Sequence, residues 1–159
     1  MISVYSESLT IPADGASVWQ VLTDPARHAS LDEWGTVGAP VRNEALRREG
    51  QVFTMNMSYD DGDQVIHYRS DNHITVFEPE RAIAWMTSIE GDQPLGWTWR
   101  YDLAPADDGT EVTLTYDWTD TSEKNMELYG LPTRTPDELL GSLERLSALV
   151  ATDRVTSAA

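Results

Sequence analysis

The chain contains no cysteine, only one lysine and no long hydrophobic run. Without cysteine there is no disulfide scaffold, no thiolate nucleophile and no Cys-ligated zinc or iron–sulfur site. A catalytic amine falls to Lys124 or the N-terminus, because guanidinium does not usefully lose its proton. Lys124 closes the polar run Asp120–Lys124, a poor setting for such an amine. Positive charge is scarce altogether: 11 Lys plus Arg face 27 Asp plus Glu over 159 residues, a net charge of −16. That balance repels phosphate backbones and anionic lipid, so neither nucleic acid nor membrane is an expected partner. No apolar stretch approaches the roughly 18 residues that span a bilayer. The opening MISVYSESLT lacks the basic and apolar regions of a signal peptide, so a cytoplasmic protein is expected. No Ser-His-Asp constellation, phosphate loop or dinucleotide fingerprint occurs.

What is present is a change of period. Ile2–Leu9 reads as a first strand, ended by Pro12. Ala13–Leu22 then carries Ala16, Val18, Trp19 and Leu22 at helical spacing. Asp24-Pro25 is a second helix start, with Asp as N-cap, and that short helix ends near Leu31 before the loop Glu33–Gly38. From there the period becomes two. Phe53, Met55, Met57 and Tyr59 alternate with polar residues, as do Trp97, Trp99, Tyr101 and Leu103, and then Val112, Leu114, Tyr116 and Trp118. Such alternation marks antiparallel strands with one wet face. Gln64–Glu78 and Ala82–Ile89 are further strands around a turn at Pro79, and Val41–Leu46 is expected to add one more. Hairpin turns are expected at Tyr59–Asp63 and at Pro105–Thr110, which contains Asp108-Gly109.

The chain ends in helix. Thr135-Pro136-Asp137-Glu138 is a capping box, and Leu139, Leu140, Leu143, Leu146, Leu149 and Val150 follow at helical spacing. A frayed tail is expected over 153–159. One domain over 1–159 follows, of α+β class: a strand, two short helices, about six to seven antiparallel strands, and a long C-terminal helix.

In this order Ile11–Asp24, Phe77–Trp85, Trp99–Thr115 and Leu139–Leu149 together resemble the START-like SRPBCC superfamily, and within it the bacterial polyketide cyclase/dehydrase-like and chaperone-ATPase-activator-homologue branches. The second Pro that the family usually carries after Pro79 is Glu80 here. The resemblance implies a helix-grip fold, a curved sheet around the long helix with an apolar cavity between them. Superfamily members bind lipids, sterols, polyketides or plant hormones, and some catalyse polyketide cyclisation or aromatisation.

Read literally, the alternation puts Phe53, Met55, Met57, Tyr59, Trp85, Trp97, Trp99, Tyr101, Tyr116 and Trp118 on the inner face. An ordinary small core is mostly Leu, Ile and Val. Flat rings and pliable thioethers suit a planar apolar ligand, although they also fill an interior by themselves. Taking Ile74 and Val76 as inward gives Tyr68, Ser70 and Asn72 the same facing, with Tyr68 and Asn72 able to orient a ligand carbonyl. His67, Arg69, Asp71 and His73 then point outward, and residues in line on one strand do not encircle an ion, so no metal site is expected. A bulge in that strand would reverse the facing and bring His67 and Arg69 inside. In the family's architecture His28 and Trp34 sit near one entrance and Met126–Tyr129 form the other rim. Asp32 and Glu33 are placed to select a cationic or hydroxylated ligand, whereas Arg134 and Arg145 belong to no motif.

The expected function is binding of a hydrophobic, aromatic or polyketide- or lipid-like small molecule, without cofactor, by a monomer or homodimer. The candidate ligand contacts are Trp34, Phe53, Met55, Met57, Tyr59, Tyr68, Asn72, Trp85, Trp97, Trp99, Tyr101, Tyr116, Trp118 and Met126. A cyclase, aromatase or dehydratase would use the same cavity, with Tyr or Asn polarising carbonyls and water moving protons. It would require a buried polar cluster with a titratable group. A co-chaperone-like module would instead require an exposed apolar patch.

Overall fold

The computed structural model describes residues 2–158. Seven strands form one antiparallel sheet in the order β1-β7-β6-β5-β4-β3-β2. They are β1 (Val4–Ile11), β2 (Val37–Pro40), β3 (Val52–Asp60), β4 (Val65–Glu78), β5 (Ala82–Ile89), β6 (Thr98–Ala106) and β7 (Gly109–Asp117). Between β1 and β2 lie α1 (Gly15–Leu22) and a 3-10 helix (Pro25–Leu31); α2 (Glu123–Tyr129) and α3 (Pro136–Ala158) follow the sheet. This is the curved α+β helix-grip arrangement.

Local chemistry sets the element ends. Asp14 caps α1 by accepting from the Ser17 N–H at 2.8 Å, and Asp24 caps the 3-10 helix through Ala26. The capping box forms at α3: Glu138 N–H donates to Thr135 Oγ1 at 3.3 Å and Thr135 N–H to Glu138 Oε1 at 3.4 Å. At the β6–β7 turn, Gly109 has φ 149° and a Cβ there would lie 2.0 Å from the Ile11 carbonyl oxygen, so only glycine lets β7 start against the end of β1.

Several expectations are corrected. The early strand is Val37–Pro40, and 41–51 is loop. Gly38 allows the strand there: a Cβ would stand 2.8 Å from the Asn56 carbonyl oxygen, so β2 approaches β3 more closely than a side chain would permit. Glu123–Tyr129 forms a helix that no apolar periodicity announced; it is held by the Ser122 cap and ended by Gly130 in the left-handed region (φ 64°). The expected tail is helical as far as Ala158, while Ala159 lies outside the described residues. β4 does carry a bulge, between Ile74 and Val76. It reverses Val76, which pairs with outward Ala84, and turns Phe77 inward instead. His67 and Arg69 lie before it and stay on the convex face, where His73 is hydrogen-bonded to Ser88 at 2.9 Å.

The core lies between the concave face and α3. Leu139, Leu143, Leu146 and Val150 of α3 are buried with Val18, Val21 and Leu22 of α1 and with Ile83, Leu103, Val112 and Leu114 of the sheet. No helix of the described residues is long and apolar enough to cross a membrane.

Candidate functional site

Register places four rings in one row across the concave face. Tyr5 pairs with Tyr116, Tyr116 with Trp99, and Trp99 with Trp85. Trp99 stacks on Tyr116 at 4.1 Å between centroids, and Trp118 meets Tyr116 at 5.0 Å and Tyr5 at 4.9 Å. A second cluster joins this row: Trp85 touches Phe53 and His28 at 5.4 Å each and Tyr101 at 6.0 Å. Offset and edge contacts at these separations are the favoured aromatic geometries, and they fix the orientation of every ring.

His28 is an interior residue rather than an entrance group. It is buried, stacked on Trp85, and its Nε2–H donates to the Leu22 carbonyl at 2.8 Å. Burial pushes its pKa below the usual histidine range, with the Leu22 hydrogen bond acting the other way. Tyr101 is equally enclosed, and burial raises its phenol to about 12, with Ser142 of α3 pulling it down.

On one side of the aromatic row the concave face is aliphatic and sealed beneath α1 and α3. On the other it is aromatic, polar and partly open. Trp97 and Trp99 are half-buried there, as are Met57, Tyr68 and Thr87. α2 roofs this end yet buries none of its own residues. Its contacts are an edge-on meeting of Tyr129 with Trp97 at 5.4 Å, a long hydrogen bond from Asn125 Nδ2 to the Leu95 carbonyl at 3.4 Å, and partial packing of Met126 and the following Leu131.

A polar strip runs up β4 into this open end. Asn72 is fully engaged: Nδ2 donates to the Phe53 carbonyl at 3.2 Å and to Ser70 Oγ at 3.3 Å, and Oδ1 accepts from Thr87 at 3.1 Å. Its role is to satisfy buried polar atoms. Tyr68 stands nearer the mouth. Burial raises its phenol above the usual range, the Arg134 guanidinium pulls it back, and Tyr129 adds to the rise. Of the strip, Tyr68 is the titratable member.

Arg134 ties the mouth together. It donates to Thr36 Oγ1 at 3.2 Å and to the Thr133 carbonyl at 2.8 Å, and faces Asp32 at 3.6 Å and Glu138 at 3.7 Å. Asp32 in turn accepts from the backbone N–H groups of Trp34, Thr36 and Val37. Its carboxylate therefore organises the loop before β2. Nearby, Tyr116 Oη and Thr133 Oγ1 are 3.3 Å apart, anchoring the segment between α2 and α3 to the aromatic row.

The candidate residues thus separate into three groups. Phe53, Met55, Tyr101, Tyr116 and Trp118 are buried core; Met57, Tyr68, Trp85, Trp97, Trp99 and Met126 are partly buried and Asn72 lies within the strip; Trp34 and Tyr59 are exposed at 63% and 57%. Sequence reasoning missed Thr87 and Arg134. Thr87 could have been found two residues beyond Trp85 on the same face, and Arg134 beside the capping box. His67, Arg69, Asp71 and His73 lie in line on the convex face, and no group of three or more His, Asp or Glu residues suited to a metal occurs among the described residues.

Two concavities lie elsewhere. A groove of about 440 Å³ runs between Ile11–Ala13 and the far part of α3 at Ser147, Val150, Ala151 and Val155. One of about 200 Å³ lies beside Gly15, Glu80 and Gly109. Neither is lined by residues of α2 or of the aromatic row.

Residues 12–150 match the family described as Activator of Hsp90 ATPase homolog 1-like protein. An uncharacterized protein of Mycobacterium tuberculosis, Rv0088, is 29% identical over 116 residues, covering 71% of this chain and 46% of that protein. The chain therefore spans about half the length of this curated relative. Among solved structures, protein Ms6760 of Mycobacterium smegmatis superposes with a TM-score of 0.68 at 17% identity, covering 94% of this chain and 92% of that one. DynU16, from the dynemicin biosynthetic locus, gives 0.62 at 18% identity and covers 96% of this chain and 49% of that one. At these identities the likeness is one of fold.

Proposed function

The chain belongs to the family of Activator of Hsp90 ATPase homolog 1-like proteins, and on that premise we propose that it binds a hydrophobic, largely aromatic small molecule on the concave face beneath α2. One observation carries this reading: the wall of Trp97, Trp99, Met57 and Tyr68 is left partly open under a helix none of whose residues is fully buried. Half-open apolar surface of this kind gains from a ligand that fills in between wall and roof and so holds the roof in place. Tyr68, whose phenol burial raises above its ordinary range, donates a hydrogen bond to an acceptor oxygen on the ligand.

Binding is preferred to turnover because the strip offers a single titratable group beside engaged amide and hydroxyl groups. A cyclase or dehydratase would have to work with Tyr68 and water alone. The exposed Trp34, Tyr59 and Leu128 favour a second reading, in which a partner protein docks at the same end.

A neutral fluorescent naphthyl ketone, titrated into the full chain, tests the first reading. Saturable binding is expected, weakened about tenfold or more by Trp97→Ala, a loss of about 1.4 kcal/mol. Absence of binding, or binding lost instead on Ser147→Trp in the groove beside α3, would overturn it.

A further inference from the structure

The β3–β4 hairpin extends past the edge of β5, which pairs with β4 only from Ser70 onward. Beyond Tyr68, whose partner Met57 still pairs with Val37 of β2, Tyr59 and Ile66 therefore lie on a two-stranded projection whose concave face continues the aromatic wall. Tyr59 and Ile66 are exposed at 57% and 40%. The loop before β2 runs alongside: Ser58 N–H donates to the Thr36 carbonyl at 2.9 Å and Ser58 Oγ to the Gly35 carbonyl at 3.1 Å. Exposed Trp34 and Tyr59 thus adjoin the two sides of one hydrogen-bonded junction, and exposed Ile66 pairs with Tyr59 across the hairpin; these three residues make up the collar outside the mouth.

The hairpin charges nearest this collar are acidic. The hairpin tip carries Asp60, Asp61 and Asp63, and no basic residue lies between Tyr59 and Ile66. N–H groups of Gln64 and Asp63 hold the Asp61 carboxyl below its ordinary range. Arg134, at the mouth, is already engaged with Asp32 and Glu138. Aromatic faces attract cations through their quadrupoles, and neighbouring carboxylates add a longer-range field of the same sense. The same carboxylates disfavour an anionic lipid surface as occupant.

We propose that the collar of Trp34, Tyr59 and Ile66 receives the positively charged end of an amphipathic small molecule, an alkyl or quaternary ammonium, whose apolar body lies on the wall beneath α2. This rests on the small-molecule reading above and specifies its ligand class.

Three naphthyl probes of equal length, ending in trimethylammonium, alcohol or carboxylate, are titrated into the full chain at low and at high salt. The ammonium probe is expected to bind about tenfold more tightly than the alcohol at low salt, with the carboxylate weakest and the spread narrowing at high salt. Combined Asp60→Asn, Asp61→Asn and Asp63→Asn substitution should remove most of the preference while leaving the alcohol's affinity unchanged. Tyr59→Ala should weaken the ammonium probe more than the alcohol. Equal affinities for ammonium and alcohol, or a preference untouched by the triple substitution, would overturn the collar and leave the small-molecule reading standing. No binding of any of the three would overturn both.

Discussion

The two ends of the concave face are built from one sheet and differ in what closes them. At the α1 and α3 end, Leu139, Leu143, Leu146 and Val150 interlock with Ile83, Leu103, Val112 and Leu114, and these residues are almost wholly removed from water. At the α2 end, Trp97, Trp99, Met57 and Tyr68 keep part of their surface open beneath a seven-residue helix with no buried residue. Aliphatic side chains with long-range helix contacts give stability; rings under a lightly held roof give an exchangeable surface. The difference teaches where stability and binding separate.

The largest effect should come from the sealed end. Leu143→Ala removes a wholly buried side chain and should lower unfolding free energy by about 3–5 kcal/mol in urea melts, while the protein still folded keeps its probe affinity. A parallel loss of affinity would mean the two ends are not separable.

Next in size is the alkaline limb. Tyr101 has its phenol raised from 10.0 to about 12, so its contribution is present below about pH 10 and lost as pH rises through about 12. The loss should reach about 3 kcal/mol and disappear in Tyr101→Phe, as read from urea melts across pH. His28 works in the opposite sense. Its folded pKa is depressed, so the unfolded chain takes up the proton first, and stability should fall as pH drops below about 6.5. His28→Leu should flatten that limb.

How far the sequence reached differs between the same two ends. The periodic leucines of α3, the capping box and the period-two strands β3, β6 and β7 were readable because local spacing and burial agree there. Asn72 and Tyr68 were given their facing from Ile74 and Val76; it holds through Ile74, although the bulge reverses Val76. The open end was less legible. α2 has no buried stripe to give it a period, and β2 depends on how closely Gly38 approaches Asn56, a distance no local pattern encodes. The family resemblance placed His28 near an entrance, yet its ring is stacked within the core. Arg134 stands four residues before Glu138, a partner the spacing offers, but its second partner Asp32 is brought to it only by folding.

At the open end smaller changes of stability are expected. Trp97→Ala should lower unfolding free energy by no more than about 1.5 kcal/mol, since its ring is incompletely buried, while reducing probe affinity about tenfold. Trp99→Ala should differ from it, because stacking on Tyr116 at 4.1 Å makes Trp99 shared between wall and core. Equal stability losses for the two would blur the boundary drawn between the ends. Smallest of all, Arg134→Gln should cost about 0.5–1 kcal/mol, since its carboxylate partners stand at 3.6 and 3.7 Å, and should speed probe exchange measured by stopped flow.

The most direct measurement is amide hydrogen exchange of the full chain with and without a saturating naphthyl ketone. Added protection confined to α2, to 95–99 and to the Tyr68 part of β4 is expected. Protection appearing instead at Ile11–Ala13 and 147–155, or nowhere, would contradict ligand binding beneath α2.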